Sequence, residues 1–493
     1  MQTRSSILRI IFLICLTSLF SFAQASDPLA FDELVTSLKE SKVGLPTANR
    51  ILKKQVEDRG LAFEISERLE AELRNAGATD ELLTTIRFWF CDKYTELADR
   101  CSEDDIDCRI ANYTRALEFH PDDDVVLIDR GNAFHDKGDY SAAIRDYTEA
   151  IRIDPKDPVA FSNRGNSNYR AREMKAAIED FTRSMELDPK NGNLFYNRGL
   201  AYFDLDEYEK AVKDFSSFIA FAPKDIDGYE NRGDAFLELG RFEEALSDFN
   251  KAIAIDGKKA DLYVGRGRAY IGSGKYQAAI KEFDKALSLD EKNAYAYHNR
   301  GYSRSLISDF EGAIRDFDRS IELRPFAEAY IDRGLAHIGN RDFTKARQDL
   351  TKAIELEPDN HLAYFHRAEL AVDGLKDLES ALVDIQKAIE LKPNSADAYF
   401  VRGVIFIDID DYDSALADFD KCISLDPKNS GAFANRGVIH LRMENFESAV
   451  RDSSEAIRLD PKNPVAYENR AIAYEALGET KKAAADNKKA EEL

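Results

Sequence analysis

Apolar residues recur along most of the chain at the spacing of helices that are buried on one face. In one well-formed stretch, Phe161 and Gly165 lie on one helical face at steps near 3.6 residues, and Ala177 and Phe181 do the same further on. Pro189 then ends the second run, because proline cannot continue a helix and restricts the residue before it. The pattern predicts two short helices joined by a turn.

This two-helix unit repeats along about three quarters of the chain. Its most regular mark is an arginine that returns every 33 to 35 residues. The arginines are Arg130, Arg164, Arg198, Arg232, Arg266, Arg300, Arg333, Arg367, Arg402, Arg436 and Arg470. A period of this length predicts stacked units, each of which buries its apolar face only against its neighbours.

The order of residues within each unit resembles the tetratricopeptide repeat: an aromatic, a glycine, an alanine, a second aromatic and a proline return at fixed phases. The resemblance covers residues 124–493 as eleven tandem repeats. It implies an all-α superhelix, or solenoid, whose first helices line a concave groove that binds a peptide or protein. This chain departs from the family in having arginine where the family has leucine before the glycine. Ala368 and Ala471 also replace the glycine.

Each arginine is followed by an acidic residue 16 or 17 positions later. These acids are Asp146, Asp180, Asp214, Asp248, Glu282, Asp316, Asp349, Asp384, Asp418, Asp452 and Asp486. We interpret the two series as a ladder of partly buried ion pairs that fixes the register of the repeats. The alternative is that the arginines bind an anionic ligand. The sequence leaves open whether each pair closes within one repeat or between two.

Residues 1–25 have the features of a cleaved signal peptide. Arg4 and Arg9 precede an apolar run over 10–22, and Ala23-Gln24-Ala25 supplies a small-x-small cleavage site. We expect the mature chain to begin at Ser26 and to be exported, either to a periplasm or to the medium.

Two segments precede the regular repeats. Residues 26–89 predict a small helical domain, with four short helices separated by Gly44, Gly60 and Gly77 and a helix start at Ser66. Residues 90–123 predict a degraded repeat. The ladder arginine and its acid are replaced there by Glu96 and Asn112.

Four cysteines remain beyond the predicted signal peptide. Cys101 and Cys108 flank the turn of the degraded repeat, and an exported protein can oxidise them to a disulfide. The alternative is that they are unpaired small apolar residues. We interpret Cys422 as a core residue.

The formal net charge of −23 argues against nucleic acid and anionic membranes as partners. An apolar or basic protein segment fits this charge better. The oligomeric state is left open by the sequence.

No constellation of catalytic or metal-binding residues is evident in the linear sequence. The seven histidines are scattered over different repeats without the spacing of metal ligands. Gly272-Ser273-Gly274-Lys275 only superficially resembles a phosphate-binding loop, since it falls in a turn between two predicted helices. We therefore predict a protein that is not an enzyme and that has no cofactor and no metal.

Two sets of residues are candidates for peptide binding in the groove. The first is a row of asparagines that precede the ladder arginine and could hold a peptide backbone: Asn163, Asn197, Asn231, Asn299, Asn435 and Asn469. The second is a set of apolar residues in the C-terminal half: Phe365, Phe400, Val404, Ile407 and Leu441. The asparagines could instead bond within their own repeats, and the apolar residues could pack against neighbouring repeats.

The sequence thus predicts a non-enzymatic scaffold for protein interactions. Two alternatives remain, a self-assembling structural scaffold and a regulatory subunit of an exported enzyme.

Overall fold

The computed structural model describes residues 28–41 and 44–493, so the predicted signal peptide lies outside the described residues. These residues form 27 α-helices, which we number in chain order. The helices before the regular repeats are α1 (Phe31–Lys39), α2 (Leu45–Arg59), α3 (Glu67–Asn75), α4 (Asp80–Asp99) and α5 (Ile106–Phe119). Apart from an isolated bridge between Leu29 and Leu61, the described chain contains no extended pairing.

In each regular repeat a first helix is followed by a second helix. The first helices are α6 (Asp124–Lys137), α8 (Pro158–Arg170), α10 (Asn193–Phe203), α12 (Ile226–Glu238), α14 (Ala260–Gly272), α16 (Ala294–Leu306), α18 (Ala327–Gly339), α20 (His361–Glu369), α22 (Ala396–Asp408), α24 (Ser430–Arg442) and α26 (Pro464–Ala476). The second helices are α7 (Tyr140–Ile153), α9 (Met174–Leu187), α11 (Tyr208–Phe221), α13 (Phe242–Ile255), α15 (Tyr276–Leu289), α17 (Phe310–Leu323), α19 (Phe343–Leu356), α21 (Leu378–Leu391), α23 (Tyr412–Leu425), α25 (Phe446–Leu459) and α27 (Thr480–Glu491).

The chain divides into two compact units, one up to Ala235 and one from Phe236 onward. Within each unit, consecutive helices contact one another, for example α6 with α7 and α7 with α8 in the first unit, and α24 with α25 and α25 with α26 in the second. The prediction of an all-α solenoid is confirmed.

Side-chain caps mark where many of these helices begin. Asp157 accepts hydrogen bonds from the backbone amides at the start of α8, and Asn463 caps α26 in the same way. The second helices α7 and α17 begin after Asp139 and Asp309, whose carboxylates accept from the amide three residues on. These short polar residues satisfy amides that have no partner inside the helix, so the phase of each repeat is fixed locally.

The recurring glycine is needed where the two helices of a repeat approach each other. A Cβ on Gly165 would lie 2.8 Å from the ring of Phe181, and one on Gly403 would lie 2.9 Å from the ring of Phe419. Ala368 departs from this rule in a repeat where the second helix has Ile385 at the aromatic position, and both residues are fully buried in one cluster. The added methyl group is therefore matched by a smaller partner.

The turn between the two helices of each repeat contains one residue in the left-handed conformation. Glycines occupy it at Gly138, Gly240, Gly274 and Gly478. Residues with side chains occupy it at Arg172, Asp206, Ser308, Arg341, Lys376, Asp410 and Glu444. Gly274 belongs to the glycine-rich tetrapeptide noted in the sequence, so that segment is a helix-to-helix turn.

One repeat contains an extra residue, and a π-helical segment accommodates it. Leu370–Leu375 forms this segment directly after α20. The wider turn takes up the additional residue. As a result, Arg367 still binds Asp384 through two hydrogen bonds of 2.7 Å, although the pair is 17 residues apart.

The N-terminal helices have the predicted number, but only part of the predicted punctuation. Gly60 caps the C-terminus of α2 with φ of 72°, and the hydroxyl of Ser66 accepts from the amide of Leu69 at the start of α3. Gly44, however, precedes α2 as its N-cap and does not end α1. Helix α4 runs through the expected boundary at 89/90, and one core cluster extends from Leu29 to Ala160.

Among the described helices, none is both long and apolar enough to cross a membrane.

Candidate functional site

The ladder arginines lie on first helices, and those whose contacts are described below reach the acid on the second helix of their own repeat. Nε and Nη2 of Arg198 donate to the two carboxylate oxygens of Asp214 over 2.7 and 2.9 Å. Equivalent two-point contacts join Arg130 to Asp146, Arg164 to Asp180, Arg300 to Asp316, Arg333 to Asp349, Arg402 to Asp418, Arg436 to Asp452 and Arg470 to Asp486. Nε and Nη2 of Arg266 both donate to Oε2 of Glu282. Asp248 is buried, with 2% exposed.

The same guanidinium groups also reach back to the second helix of the preceding repeat. Nη1 of Arg198 donates to the hydroxyl of Thr182 over 3.0 Å, and Nη1 of Arg232 donates to Ser216 over 2.8 Å. The acceptors in the other repeats are Thr114, Thr148, Asn250, Asp284, Asp318, Thr351, Gln386, Asp420 and Ser454. One arginine therefore connects three helices.

Hydrogen bonding to the acids keeps these guanidinium groups charged, although burial opposes the effect. Hydrogen bonding to Asp214 raises the pKa of Arg198 above its ordinary value, and Asp384 has the same effect on the pKa of Arg367. A bidentate guanidinium with a third partner has little capacity left for an external anion. The geometry is that of a structural ladder.

Two histidines lie beside ladder carboxylates. Nε2 of His337 is 3.8 Å from Asp349, and Nε2 of His440 is 3.6 Å from Asp452. Burial lowers the pKa of both imidazoles, although the nearby carboxylates oppose this effect. The Nδ1 atoms of both rings are buried without a hydrogen-bond partner. These rings are neutral near pH 7.

The candidate asparagines bond mainly to their own or the preceding repeat. Asn163 donates to Asn132 over 2.9 Å, and Asn197 donates to Asn166 over 3.0 Å; each acceptor lies on the preceding first helix. Asn299 donates to the backbone carbonyl of Tyr295.

The remaining asparagines differ in exposure. Asn231 donates to the backbone carbonyl of Asp227 and to the hydroxyl of Tyr196. Asn435 is half-buried on α24. Asn469 is buried with 7% exposed and donates to the carbonyl of Ala434, so it corrects the expectation that every member of this row is open to a ligand.

Two of the apolar candidates pack between helices and do not form an open wall. Phe400 is half-buried, and its ring meets the ring of Phe419 edge-on at a centroid distance of 5.8 Å. The edge of the Phe400 ring also lies close to the next repeat, because a Cβ added to Gly431 would be 3.1 Å from the ring. Phe365 is half-buried against the cluster around Ile385. Both residues thus contribute to packing as well as to the surface.

Equivalent positions on three successive first helices carry partly exposed aliphatic side chains. These are Val404 and Ile407 on α22, Val438 and Leu441 on α24, and Ile472 on α26. Ile472 is 53% exposed. Because α24 contacts both α22 and α26, these equivalent positions follow one another across three neighbouring helices, and we call the five residues the C-terminal apolar stripe. Val404, Ile407 and Leu441 are among the candidates named from the sequence. Val438 and Ile472 follow Val404 at the 34-residue spacing of the repeats, which is the sequence signal for them.

The exposed charges on these three helices are mostly acidic. Asp397, Asp408, Glu468 and Glu475 are exposed, and Arg442 is the exposed base among the described residues of α22, α24 and α26. The arginines Arg402, Arg436 and Arg470 are engaged in the ladder. The stripe therefore combines an apolar centre with a negative surround.

The degraded repeat has a covalent link in place of the ladder. Cys101 and Cys108 form a disulfide with a Cα separation of 6.0 Å, which joins the end of α4 to α5. The side-chain amide of Asn112, at the position of the missing acid, lies 3.6 Å from both sulfur atoms.

A second group of polar residues comes together beside this repeat. Cys91, His120 and Asp123 place one ligand atom each within 4.8 Å of one another. Burial raises the pKa of the Cys91 thiol to about 12, and Asp123 adds to this shift. The spacing of residues along the sequence did not reveal this group, because Cys91 is 29 residues from His120.

Cys422 is a buried free cysteine in the core of its repeat. The interpretation of Cys422 as a core residue is therefore confirmed.

Family models for repeats of one kind match most of the regular repeats. Models described as "TPR repeat" match residues 131–171, 233–272 and 267–304. Models described as "Tetratricopeptide repeat" match residues 162–226, 327–360, 396–429, 430–463 and 454–485. Together these ranges cover more than half of the 493 residues. The chain belongs to the tetratricopeptide repeat family.

Several solved structures are similar to this chain. A tetratricopeptide repeat protein from Parabacteroides merdae ATCC 43184 is 22% identical, with 51% of this chain and 99% of that chain covered and a TM-score of 0.45. The Cut9–Hcn1 structure of the APC/C is 13% identical, with coverages of 89% and 98% and a TM-score of 0.46. YrrB, described as having an unusual peptide-binding site, is 23% identical, with coverages of 38% and 96% and a TM-score of 0.35. No curated protein matches the sequence.

Repeats of this family typically act as non-enzymatic scaffolds for protein–protein interaction, and their partners are proteins or peptides. The chain is a scaffold for protein–protein interaction.

Proposed function

We propose that the protein binds a segment of a partner protein through the C-terminal apolar stripe, and that the segment carries apolar side chains next to basic ones. The observation that carries the proposal is the recurrence of aliphatic residues at equivalent positions on α22, α24 and α26, ending in Ile472 with 53% exposed. Exposed apolar surface that is continuous across repeats is typical of binding sites.

The charge around the stripe determines the partner's chemistry. Four exposed acids and one exposed arginine on the three helices favour lysine or arginine in the bound segment. The half-buried Asn435 lies on the central helix of the stripe and can supply an amide to the segment's backbone. Asn163, Asn197, Asn231 and Asn299 already donate to other groups, so they contribute acceptor oxygens or stabilise the repeats.

Selection from a library of displayed random peptides tests this proposal. We expect enriched sequences with two or three apolar residues and at least one basic residue. Enrichment of acidic peptides, or no enrichment over an uncoated surface, would contradict it. The self-assembly alternative predicts instead a concentration-dependent rise in mass by light scattering of the purified chain.

The proposal includes export after cleavage behind Ala25. The composition of residues 1–25 supports it, and so does the Cys101–Cys108 disulfide, because such bonds persist in oxidising compartments. The intact mass of exported protein should correspond to a chain that begins at Ser26. An exported form that retains residues 1–25 would overturn this part.

A further inference from the structure

We propose that Cys91, His120 and Asp123 form a binding site for one zinc ion. The three side chains come from three helices: Cys91 from the middle of α4, His120 from the C-cap of α5, and Asp123 from the N-cap of α6. An ion held by all three would fasten these helices together.

Two of the three distances between the ligand atoms are close to those of a tetrahedral ion, and the third is within 4.8 Å. Sγ of Cys91 lies 3.7 Å from Oδ2 of Asp123, and Nδ1 of His120 lies 3.0 Å from the same oxygen. Zinc bonds of the usual length require ligand atoms roughly 3.3–3.6 Å apart. Both distances therefore come within a few tenths of an ångström of the required values.

The donor set selects the metal. A thiolate, an imidazole and a carboxylate are the three ligand types that zinc takes, whereas calcium and magnesium prefer oxygen alone. Three protein ligands leave a fourth position for water. The side chains of His120 and Asp123 are 33% and 24% exposed, so solvent reaches the site, while Cys91 lies beneath them with 2% exposed.

Two departures from the repeat pattern coincide at this place. In the next two repeats, the position of His120 is occupied by Asp154 and Asp188, and the position of Cys91 by the exposed Val125 and Val159. The degraded repeat alone combines a buried cysteine with a histidine at these positions. It also lacks the arginine and acid that fasten the other repeats, so an ion here would supply a missing link between helices.

Metal loading is a simple exchange. Without metal, the Cys91 thiol and His120 both lie within hydrogen-bonding distance of Oδ2 of Asp123, while Oδ1 accepts from the amide of Val126. On loading, the Sγ–H bond breaks and its proton passes to water. The proton of His120 moves from Nδ1 to Nε2 by exchange with water, the two contacts to Oδ2 are given up, and zinc forms bonds to Sγ, Nδ1 and Oδ2. The amide contact of Oδ1 is unaffected, and no oxidant or reductant is needed.

Cobalt(II) is the probe, because a thiolate ligand gives it a charge-transfer absorption in the near ultraviolet. Titration of the purified, metal-free protein should give this band with one cobalt per chain. Cys91→Ser should abolish it, and Cys422→Ser should retain it, since Cys422 is the other free cysteine and is buried elsewhere. Absence of the band in the unaltered protein, or an equal band in Cys91→Ser, would overturn the proposal.

A histidine variant keeps the test independent of any folding defect in Cys91→Ser. His120→Asn should weaken zinc affinity at least tenfold, whereas His135→Asn, one helix further on, should leave it unchanged. Zinc should also raise the melting temperature of the unaltered protein and of His135→Asn, but not of His120→Asn. Equal zinc affinity in all three proteins would show that His120 is not a ligand and would overturn the proposal.

Discussion

The guanidinium of Arg198 donates two hydrogen bonds of 2.7 and 2.9 Å to the carboxylate of Asp214, and its remaining nitrogen donates to the hydroxyl of Thr182 in the preceding repeat. The pair is largely buried, with 17% of the arginine side chain and 3% of the aspartate side chain exposed. The arginine therefore joins the two helices of its own repeat and also joins that repeat to the preceding one. The same arrangement recurs along the solenoid.

Breaking this pair should strongly destabilise the fold. Arg198→Ala leaves a buried carboxylate without its partner, and we expect a loss of about 3 kcal/mol in the free energy of unfolding. Asp214→Asn in addition should recover part of that loss. Urea unfolding of the two single variants and the double variant measures the coupling.

The matched control is the exposed pair Arg183 and Glu186, whose side chains are 48% and 59% exposed. Arg183→Ala should change the free energy of unfolding by less than about 1 kcal/mol. Losses of equal size at Arg198 and Arg183 would show that the ladder does not hold the repeats together.

The sequence was sufficient for the repeats and for the ladder's two residue types, because both recur at one phase. It could not decide whether Arg198 pairs within its repeat, since Asp214 and Thr182 each lie 16 residues away on flanking second helices. In the structure, Arg198 binds Asp214 of its own repeat and also Thr182 of the preceding repeat. A polar acceptor such as Thr182 precedes every ladder arginine by 15 or 16 residues, and this was the signal that sequence reasoning missed.

Burial was harder to predict than periodicity. Phe400 and Val404 both occupy first-helix positions, and both are half-buried against the core cluster that contains Phe419, although the sequence predicts an open groove wall for them. Their burial depends on the angle between neighbouring repeats, which no local pattern encodes. Cys91 and His120 meet for a similar reason, through the packing of helices that are distant in sequence.

Removing a side chain from a left-handed turn position should stabilise the protein. Ser308 has φ of 63°, a conformation that disfavours residues with a Cβ. Ser308→Gly should raise the free energy of unfolding by about 0.5 kcal/mol, because the relieved strain exceeds the added chain entropy. Gly274→Ala, at the equivalent turn with φ of 70°, should lower it by about 1 kcal/mol. Denaturant midpoints that move in the opposite sense would contradict the assignment of these turns.

Buried neutral histidines should make the fold sensitive to mild acid. Burial lowers the pKa of His337 in the folded state below the ordinary value near 6.5. The unfolded chain therefore binds protons first, so stability is full above about pH 6.5 and falls as the pH drops toward the folded-state pKa. His337→Phe, which places at this position the residue found at the equivalent Phe406, should reduce the loss between pH 7 and 5. Melting curves that are equally steep in pH for both proteins would contradict this role.

Phe400→Ser should destabilise the protein as well as alter its surface. The ring packs on the fully buried Phe419 and against the next repeat at Gly431. We expect a loss of about 2 kcal/mol, less than for a fully buried phenylalanine. An unchanged thermal midpoint would show that the ring is a free surface residue after all.

The most direct test of the proposed function is the affinity of a selected peptide for two variants that each place a charge on an apolar surface residue. Val438→Asp alters the centre of the C-terminal apolar stripe, whereas Val383→Asp alters a 67% exposed valine on the second helix α21. We predict that the dissociation constant, measured by calorimetry, rises more than tenfold for Val438→Asp and stays unchanged for Val383→Asp. Equal affinities for the two variants would contradict the assignment of the stripe as the recognition surface.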